Sequence, residues 1–270
     1  MSATLRVLLL GDLMGKTGRD VFSRHLGKLR EHYSPDITIV NGENCAEGKG
    51  ITPAIADALL ESGVDIITSG NHIYDRKEIF PYLDDHDTVL RPANYPDACP
   101  GKGMVIFQHK GISIAVMNVM GRLFMPVHLN CPFQKSLELA EEAQKVTPLI
   151  FVDFHAETNA EKRALGVFLD GKVTAVVGTH THVQTADAHI LPHGTAYISD
   201  LGMGGSLNSM IGAGKPEIIR RFLTQMPARH HVASDAPYVL SGALVTADTQ
   251  TGKALSIEPV YIVDNDPLYS

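Results

Sequence analysis

Five short apolar runs in this chain each stop at a polar side chain able to bind a metal, and that repetition limits the fold more than any other feature. Residues 5–10 end at Gly11-Asp12, residues 37–40 at Asn41-Gly42-Glu43-Asn44, and residues 64–68 at Ser69-Gly70-Asn71-His72. Residues 149–154 end at His155, and residues 173–177 at Gly178-Thr179-His180-Thr181-His182. Continuous apolar runs of this length read as strands buried on both faces. Between them lie helical stretches over 19–32, 53–60, 76–83, 133–146 and 160–168. The first has Val21, Phe22, Leu26 and Leu29 on one stripe and stops at Ser34-Pro35; the second opens with a Thr52-Pro53 cap. Repeated βα units predict an α/β fold with a parallel or mixed sheet, helices outside and chemistry at the carboxyl ends of the strands. A short strand is expected at Val89-Leu90, and further strands over 104–108, 112–118, 196–199, 238–245 and 256–263. One domain over 1–270 with two sheets accounts for this pattern, with residues 119–132 as a loop that could cover an active-site mouth.

Charge and cysteine content narrow the functional class. The chain has 23 basic and 30 acidic side chains, a formal charge of -7, which gives no support for a protein that tracks nucleic-acid phosphates. An RNA end bearing a phosphate remains compatible as a substrate. No apolar run approaches the length of a membrane span. The first run is too short for a secretory signal, and cleavage would remove Asp12. Three cysteines make neither a disulfide framework nor a zinc knuckle, so a reduced, cytoplasmic protein is expected. Gly15-Lys16-Thr17 invites a nucleotide P-loop, but the glycine required five residues before Gly15 is Leu10, so Gly15 and Gly18 are read as turn geometry before a helix.

The donor set at the strand ends is carboxylate, amide oxygen and imidazole. That mixture suits zinc or a transition ion and not an all-oxygen calcium loop. Singly, each residue has a plainer reading: Asp12 as a cap, Asn44 as a turn former, His155 as a hydrogen-bonded core histidine, and His180 with His182 as alternate residues that share a strand face. Glu43 resists such a reading, because an unpaired buried carboxylate is costly.

Taken in order, these residues resemble the calcineurin-like metallophosphoesterase superfamily. Gly70-Asn71-His72, His155 and His180-Thr181-His182 follow its signatures. Two positions depart: Asp12-Leu13-Met14 lacks a histidine two residues after Asp12, and Glu43 stands where a bridging aspartate is expected. Both departures match the bacterial YmdB-like metallophosphoesterase family. The resemblance extends through Asp153-Phe154-His155-Ala156-Glu157, Val183-Gln184 and Ser199-Asp200-Leu201-Gly202-Met203. It implies a four-layer α/β/β/α sandwich, a homo-oligomer, and a phosphodiesterase for cyclic nucleotides, including 2′,3′-cyclic AMP. It also implies two metal ions per chain. Asp12, Glu43, Asn44 and His182 would serve one site and Glu43, Asn71, His155 and His180 the other, with Glu43 bridging.

Such a pair supports in-line attack of a bridging hydroxide on phosphorus. His72, next to the ligand Asn71, is expected to act as the catalytic group that orients phosphate or protonates the leaving alkoxide. Met14 in place of a nitrogen ligand points to iron or manganese, with zinc compatible and magnesium alone disfavoured. A 5′-nucleotidase or other phosphomonoesterase, or a weakly catalytic metal-dependent signalling protein, are the alternatives. Arg122 and His128 are candidates for substrate contact, Asp200 for support of a ligand histidine, and Lys16 for the mouth of the site. His25, His32, His86, His109 and His193 read as exposed or in turns.

Overall fold

The computed structural model describes residues 4–266. β1 (Thr4–Leu13) is apolar on both faces because both are covered. Leu5, Val7 and Leu9 meet Ile37 and Ile39 of β2 (Ile37–Asn41) and Ile66 of β3 (Ile66–Thr68) in one core. Leu8 and Leu10 meet Val21, Phe22, Leu26 and Leu29 of α1 (Gly15–Tyr33) in another. α2 (Pro53–Glu61) and α3 (Ile79–Asp85) add Ala56, Leu59, Ile79 and Leu83 to that second core.

The chain then builds a second sheet. β4 (Met104–His109) and β5 (Ile112–Met120) form a hairpin through Lys110 and Gly111, both at positive φ. α4 (Pro132–Ala143), β6 (Ile150–His155), α5 (Asn159–Phe168), β7 (Ala175–Thr179), β8 (His189–Ile190) and β9 (Ala196–Ile198) follow. The remaining elements, β10 (Met203–Ser206), α6 (Lys215–Thr224), β11 (Tyr238–Asp248) and β12 (Ala254–Asp264), return to the first sheet except for α6. The strand orders are β12-β11-β10-β1-β2-β3 and β4-β5-β6-β7-β9-β8, and β11 also pairs antiparallel with β1. Val7, Leu9 and Ile39 pack against Val116, Phe151 and Val177 between the sheets. Leu139, Ala140 and Leu165 of α4 and α5 cover the outer face of the second sheet through Met117 and Val152. The layers are therefore α/β/β/α, as expected.

Several boundaries differ from the sequence reading. α1 starts at Gly15 rather than Arg19, and Gly18 lies inside it: a Cβ there would overlap the Gly204 carbonyl of β10, so this glycine serves close helix–strand packing rather than a turn. Gly15, at φ +56°, does sit in a turn conformation. α3 begins at Ile79 rather than Arg76. Val89 and Leu90 make isolated bridges to Ile67 and Lys102 instead of a strand. His25 is buried, with Nε2 2.9 Å from Asp264 Oδ2, where Arg24 also bonds at 2.8 Å. The Thr52 cap is present, its hydroxyl accepting from Ile55 N–H. β8, β10 and α6 were not foreseen. Among the described residues no helix is long and apolar enough to cross a membrane.

Candidate metal centre

Parallel neighbours end at the same edge of a sheet, and here the corresponding edges of both sheets meet. β1, β2 and β3 deliver Asp12, then Glu43 and Asn44, then Asn71 and His72; β6 and β7 deliver His155, then His180 and His182. Asp12, Glu43, Asn44 and His155 are buried. Gly70 permits the approach between sheets, since a Cβ at that position would overlap the His155 ring and Glu43 Oε2.

Two donor groups form around Glu43. On one side His155 Nε2 lies 3.3 Å from Glu43 Oε2, 3.1 Å from Asn71 Oδ1 and 3.0 Å from His180 Nδ1. On the other, the Asn44 amide lies 2.9 Å from Glu43 Oε1, 3.4 Å from Asp12 Oδ1 and 3.3 Å from His182 Nε2. His182 Nε2 is 3.8 Å from Asp12 Oδ1. All seven residues expected as ligands thus gather at one place. Glu43, His155 and His180 also satisfy the spacing of a metal-ligand cluster.

The surrounding bonds set which atoms face the centre. Thr179 Oγ1 gives its one proton to Asp153 Oδ1 at 2.7 Å, so it accepts from His155 Nδ1–H at 2.9 Å. In the neutral ring Nε2 is then a lone pair aimed at Glu43, Asn71 and His180, a cluster of acceptors that calls for a cation. Electrostatics agree. Burial alone would lower the His155 imidazolium, but Glu43, followed by Asp12 and Asp153, outweighs it and raises the ring to about 9. Burial would raise Glu43, and His155 reverses that, holding the carboxyl well below its ordinary range. Burial pushes Asp12 up to about 6. Burial, then neighbouring His155, pushes His180 down to about 3. The donor set fits a bound cation.

The turn carrying both C-terminal histidines is held under strain. His180 and His182 have φ of +94° and +64°, a conformation that costs non-glycine residues on the order of 1–3 kcal/mol each. Asp12 Oδ2 accepts from His180 N–H at 3.1 Å. Asp200 Oδ2 accepts from Thr181 N–H at 3.1 Å and from its hydroxyl at 2.7 Å. Asp200 thus fixes the backbone between the histidines and does not reach an imidazole as expected. Its charge is matched by Lys162 of α5, 2.7 Å away and equally buried. Lys162, Thr179 and Glu157, whose carboxylate is 3.0 Å from His180 Nε2, were missed. Lys162 stands three residues before the buried Leu165, on its side of the helix, and that was the available signal.

His72 lines a cavity of about 260 Å³ with Glu43, Asn44, Glu157, His180 and His182. Its Nδ1 pairs with Asp75 Oδ2 at 2.8 Å, and its backbone N–H donates to Glu43 Oε2 at 3.1 Å. None of residues 119–132 lines this cavity; Ile211 does. Arg122 is exposed, and the Arg122 and Leu123 N–H groups are held by Glu161. Lys16 is exposed and paired with Asp20 at 2.7 Å.

The chain matches the YmdB-like protein family over residues 8–260. It is 49% identical over 261 residues to the 2′,3′-cyclic-nucleotide 2′-phosphodiesterase of Bacillus subtilis (strain 168), a match covering 97% of this chain and 98% of that one. A hypothetical protein of Thermus thermophilus, known from its crystal structure, is 39% identical with a TM-score of 0.88, covering 96% of this chain and 100% of that one. A phosphatase of Mycoplasma pneumoniae is 35% identical with a TM-score of 0.93, covering 99% and 96%. With the two-sheet architecture and the cluster around Glu43, these matches show that the chain belongs to the YmdB-like family of the metallophosphoesterase superfamily.

Proposed function

We propose that this metal-dependent phosphoesterase holds two ions and opens 2′,3′-cyclic nucleotides. The observation that carries the reading is the division of Glu43, whose Oε1 faces the Asn44 group while Oε2 faces the His155 group. Asp12, Asn44 and His182 would complete one site, with the Asn44 amide turned so that Oδ1 faces the ion. Asn71, His155 and His180 would complete the other. Three imidazoles among these donors favour iron or manganese, with zinc compatible. When bound, the ions supply an acidified water and neutralise charge on the phosphate.

The chain's own groups do the rest. A cyclic diester seated in the cavity beside His72 exposes phosphorus to water on one side and a ribose oxygen on the other. Asp75 holds His72 Nδ1, leaving Nε2 as the nitrogen free to act. As the bond from phosphorus to the 2′ oxygen breaks and one to the water oxygen forms, water gives up a proton to solvent and the protonated His72 Nε2 donates one to the 2′ oxygen, to be reprotonated from solvent afterwards. The 3′-nucleotide results. The named activity of the Bacillus relative supports this choice of bond.

A homo-oligomer belongs to the same reading, supported by α6, which buries no residue and leaves Phe222 and Leu223 exposed. Cys45, Cys99 and Cys131 are free thiols, which suits a reducing, cytoplasmic setting. The test is turnover of 2′,3′-cyclic AMP against mononucleotides by manganese-loaded protein, with metal content measured per chain. Cyclic diester cleavage with two ions per chain is expected. Efficient release of phosphate from mononucleotides without diester cleavage would favour the 5′-nucleotidase reading.

A further inference from the structure

A second cavity, of about 210 Å³, is lined in part by His182. It shares His182 and Ile211 with the cavity beside the metal centre, so the two are neighbouring compartments. His182 Nε2 faces Asp12 and Asn44, while Nδ1 is bonded to the Ile211 carbonyl at 2.8 Å, which fixes the ring as a wall. The second compartment has a different chemistry. Met203 and Val239 are buried and apolar, and Leu207, Ile211 and Tyr261 are exposed and apolar or aromatic. Among the described residues, no ionisable side chain other than His182 and the Tyr261 phenol lines it.

Its polar groups are almost all engaged. Ser241 Oγ donates to the Met203 carbonyl, and Ser209 Oγ donates to Ser206 and accepts from Gly212 N–H. Gln184 is the exception. Its Nε2 reaches the carbonyls of Leu201, Gly242 and Val260 at 3.3, 2.8 and 3.0 Å. Carbonyls only accept, so the orientation of this amide is fixed and its Oε1 is left without a protein donor among the described residues. An apolar compartment with an aromatic ring and one free acceptor, next to a cavity lined by Glu43, His72, Glu157 and His180, matches the two halves of a nucleotide.

We infer that this compartment is the nucleobase subsite, with Tyr261 and Leu207 packing on the base and Gln184 Oε1 accepting from an exocyclic amine. The inference rests on the proposed function for the ligand as a whole, and it adds a preference for amino-bearing bases over uracil or hypoxanthine. A site built to hydrogen-bond a group rejects the analogue that lacks it more strongly than a purely apolar pocket does.

The experiment compares kcat/KM for the 2′,3′-cyclic phosphates of adenosine, of purine riboside, which lacks the amine, and of methyl riboside, which lacks the base. Manganese-loaded native protein, Tyr261→Ala and Leu207→Ala are measured. Adenosine should exceed purine riboside by about tenfold and methyl riboside by more, as expected for one hydrogen bond and one stacked base. In Tyr261→Ala the ratio of adenosine to methyl riboside should fall about tenfold, chiefly through KM, with the metal content retained. An unchanged ratio in both variants, or equal rates for all three substrates in the native protein, would overturn the subsite. Equilibrium binding of 3′-AMP against ribose 3-phosphate provides a readout apart from turnover. Base-dependent binding lost in Tyr261→Ala would keep the subsite even where no substrate is hydrolysed, an outcome that would instead remove the phosphodiesterase reading. Base-independent binding would overturn it.

Discussion

The two sheets contribute different chemistry to one centre. The first supplies every carboxylate and amide expected to bind metal, Asp12, Glu43, Asn44 and Asn71; the second supplies every imidazole, His155, His180 and His182. Neither set is a sufficient site alone. Oxygen donors without nitrogen would suit hard ions, and three histidines without a carboxylate would leave the ionic charge uncompensated. The centre is therefore a property of the packing between sheets, and Gly70 admits the His155 ring against Glu43.

The first sheet's contribution is broken most directly at Glu43. Glu43→Ala should lose one or both ions and lower turnover by at least about 10³-fold, since the shared negative partner disappears. Full metal occupancy by elemental analysis with unchanged hydrolysis would break the comparison outright. His72→Ala, on the same sheet but outside the ligand set, should keep both metals and lower kcat by about 10²-fold. The loss should be larger for a cyclic nucleotide than for an activated nitrophenyl diester, whose leaving group needs no proton. Equal losses on both would remove the proton-donor role.

The second sheet is best tested one bond behind the ligands. Thr179→Val removes the acceptor of His155 Nδ1–H and the donor to Asp153 while keeping the shape. Metal affinity should fall about tenfold or somewhat more, measured by competition with a chelator. An unaltered affinity would show that the imidazole is oriented by packing alone. The smallest effect lies at the outer face of the first sheet. Burial draws the Asp264 carboxyl up, but Arg24, Asp266 N–H and His25 outweigh it and hold it at about 2. Because this folded value is below the unfolded one, the pair stabilises the protein fully above about pH 4 and loses that contribution as pH falls toward 2. Asp264→Asn should flatten this acid limb in denaturant titrations and leave metal content unaltered.

Much of the first-sheet chemistry was legible because each ligand follows an apolar run that had to be a strand, so Asp12, Glu43 and Asn71 could be assigned to one edge from the sequence. The seven expected ligands gather for the same reason. What the sequence concealed was support from elements distant in the chain. The Asp153–Thr179–His155 relay crosses from β6 to β7, and nothing in the spacing of Thr179 reveals that its hydroxyl is committed. Lys162 resembles any helix lysine until Asp200 is found buried opposite it. α6 was overlooked although Pro216 opens it and Ile218, Ile219, Phe222 and Leu223 form an apolar stripe at helical spacing. His25 was misjudged because its partner Asp264 lies at the end of the last strand, 239 residues away.

The pairing of β11 with β1 bears on when this centre can exist. Thr4 through Leu10 align antiparallel with Asp248 through Gly242, so the strand that carries Asp12 lacks one neighbour until almost the whole chain has left the ribosome. Contacts this distant in sequence form late, and an unpaired apolar edge is exposed to aggregation meanwhile. A chain truncated before β11 would carry all seven expected ligands, with a first sheet that lacks this pairing.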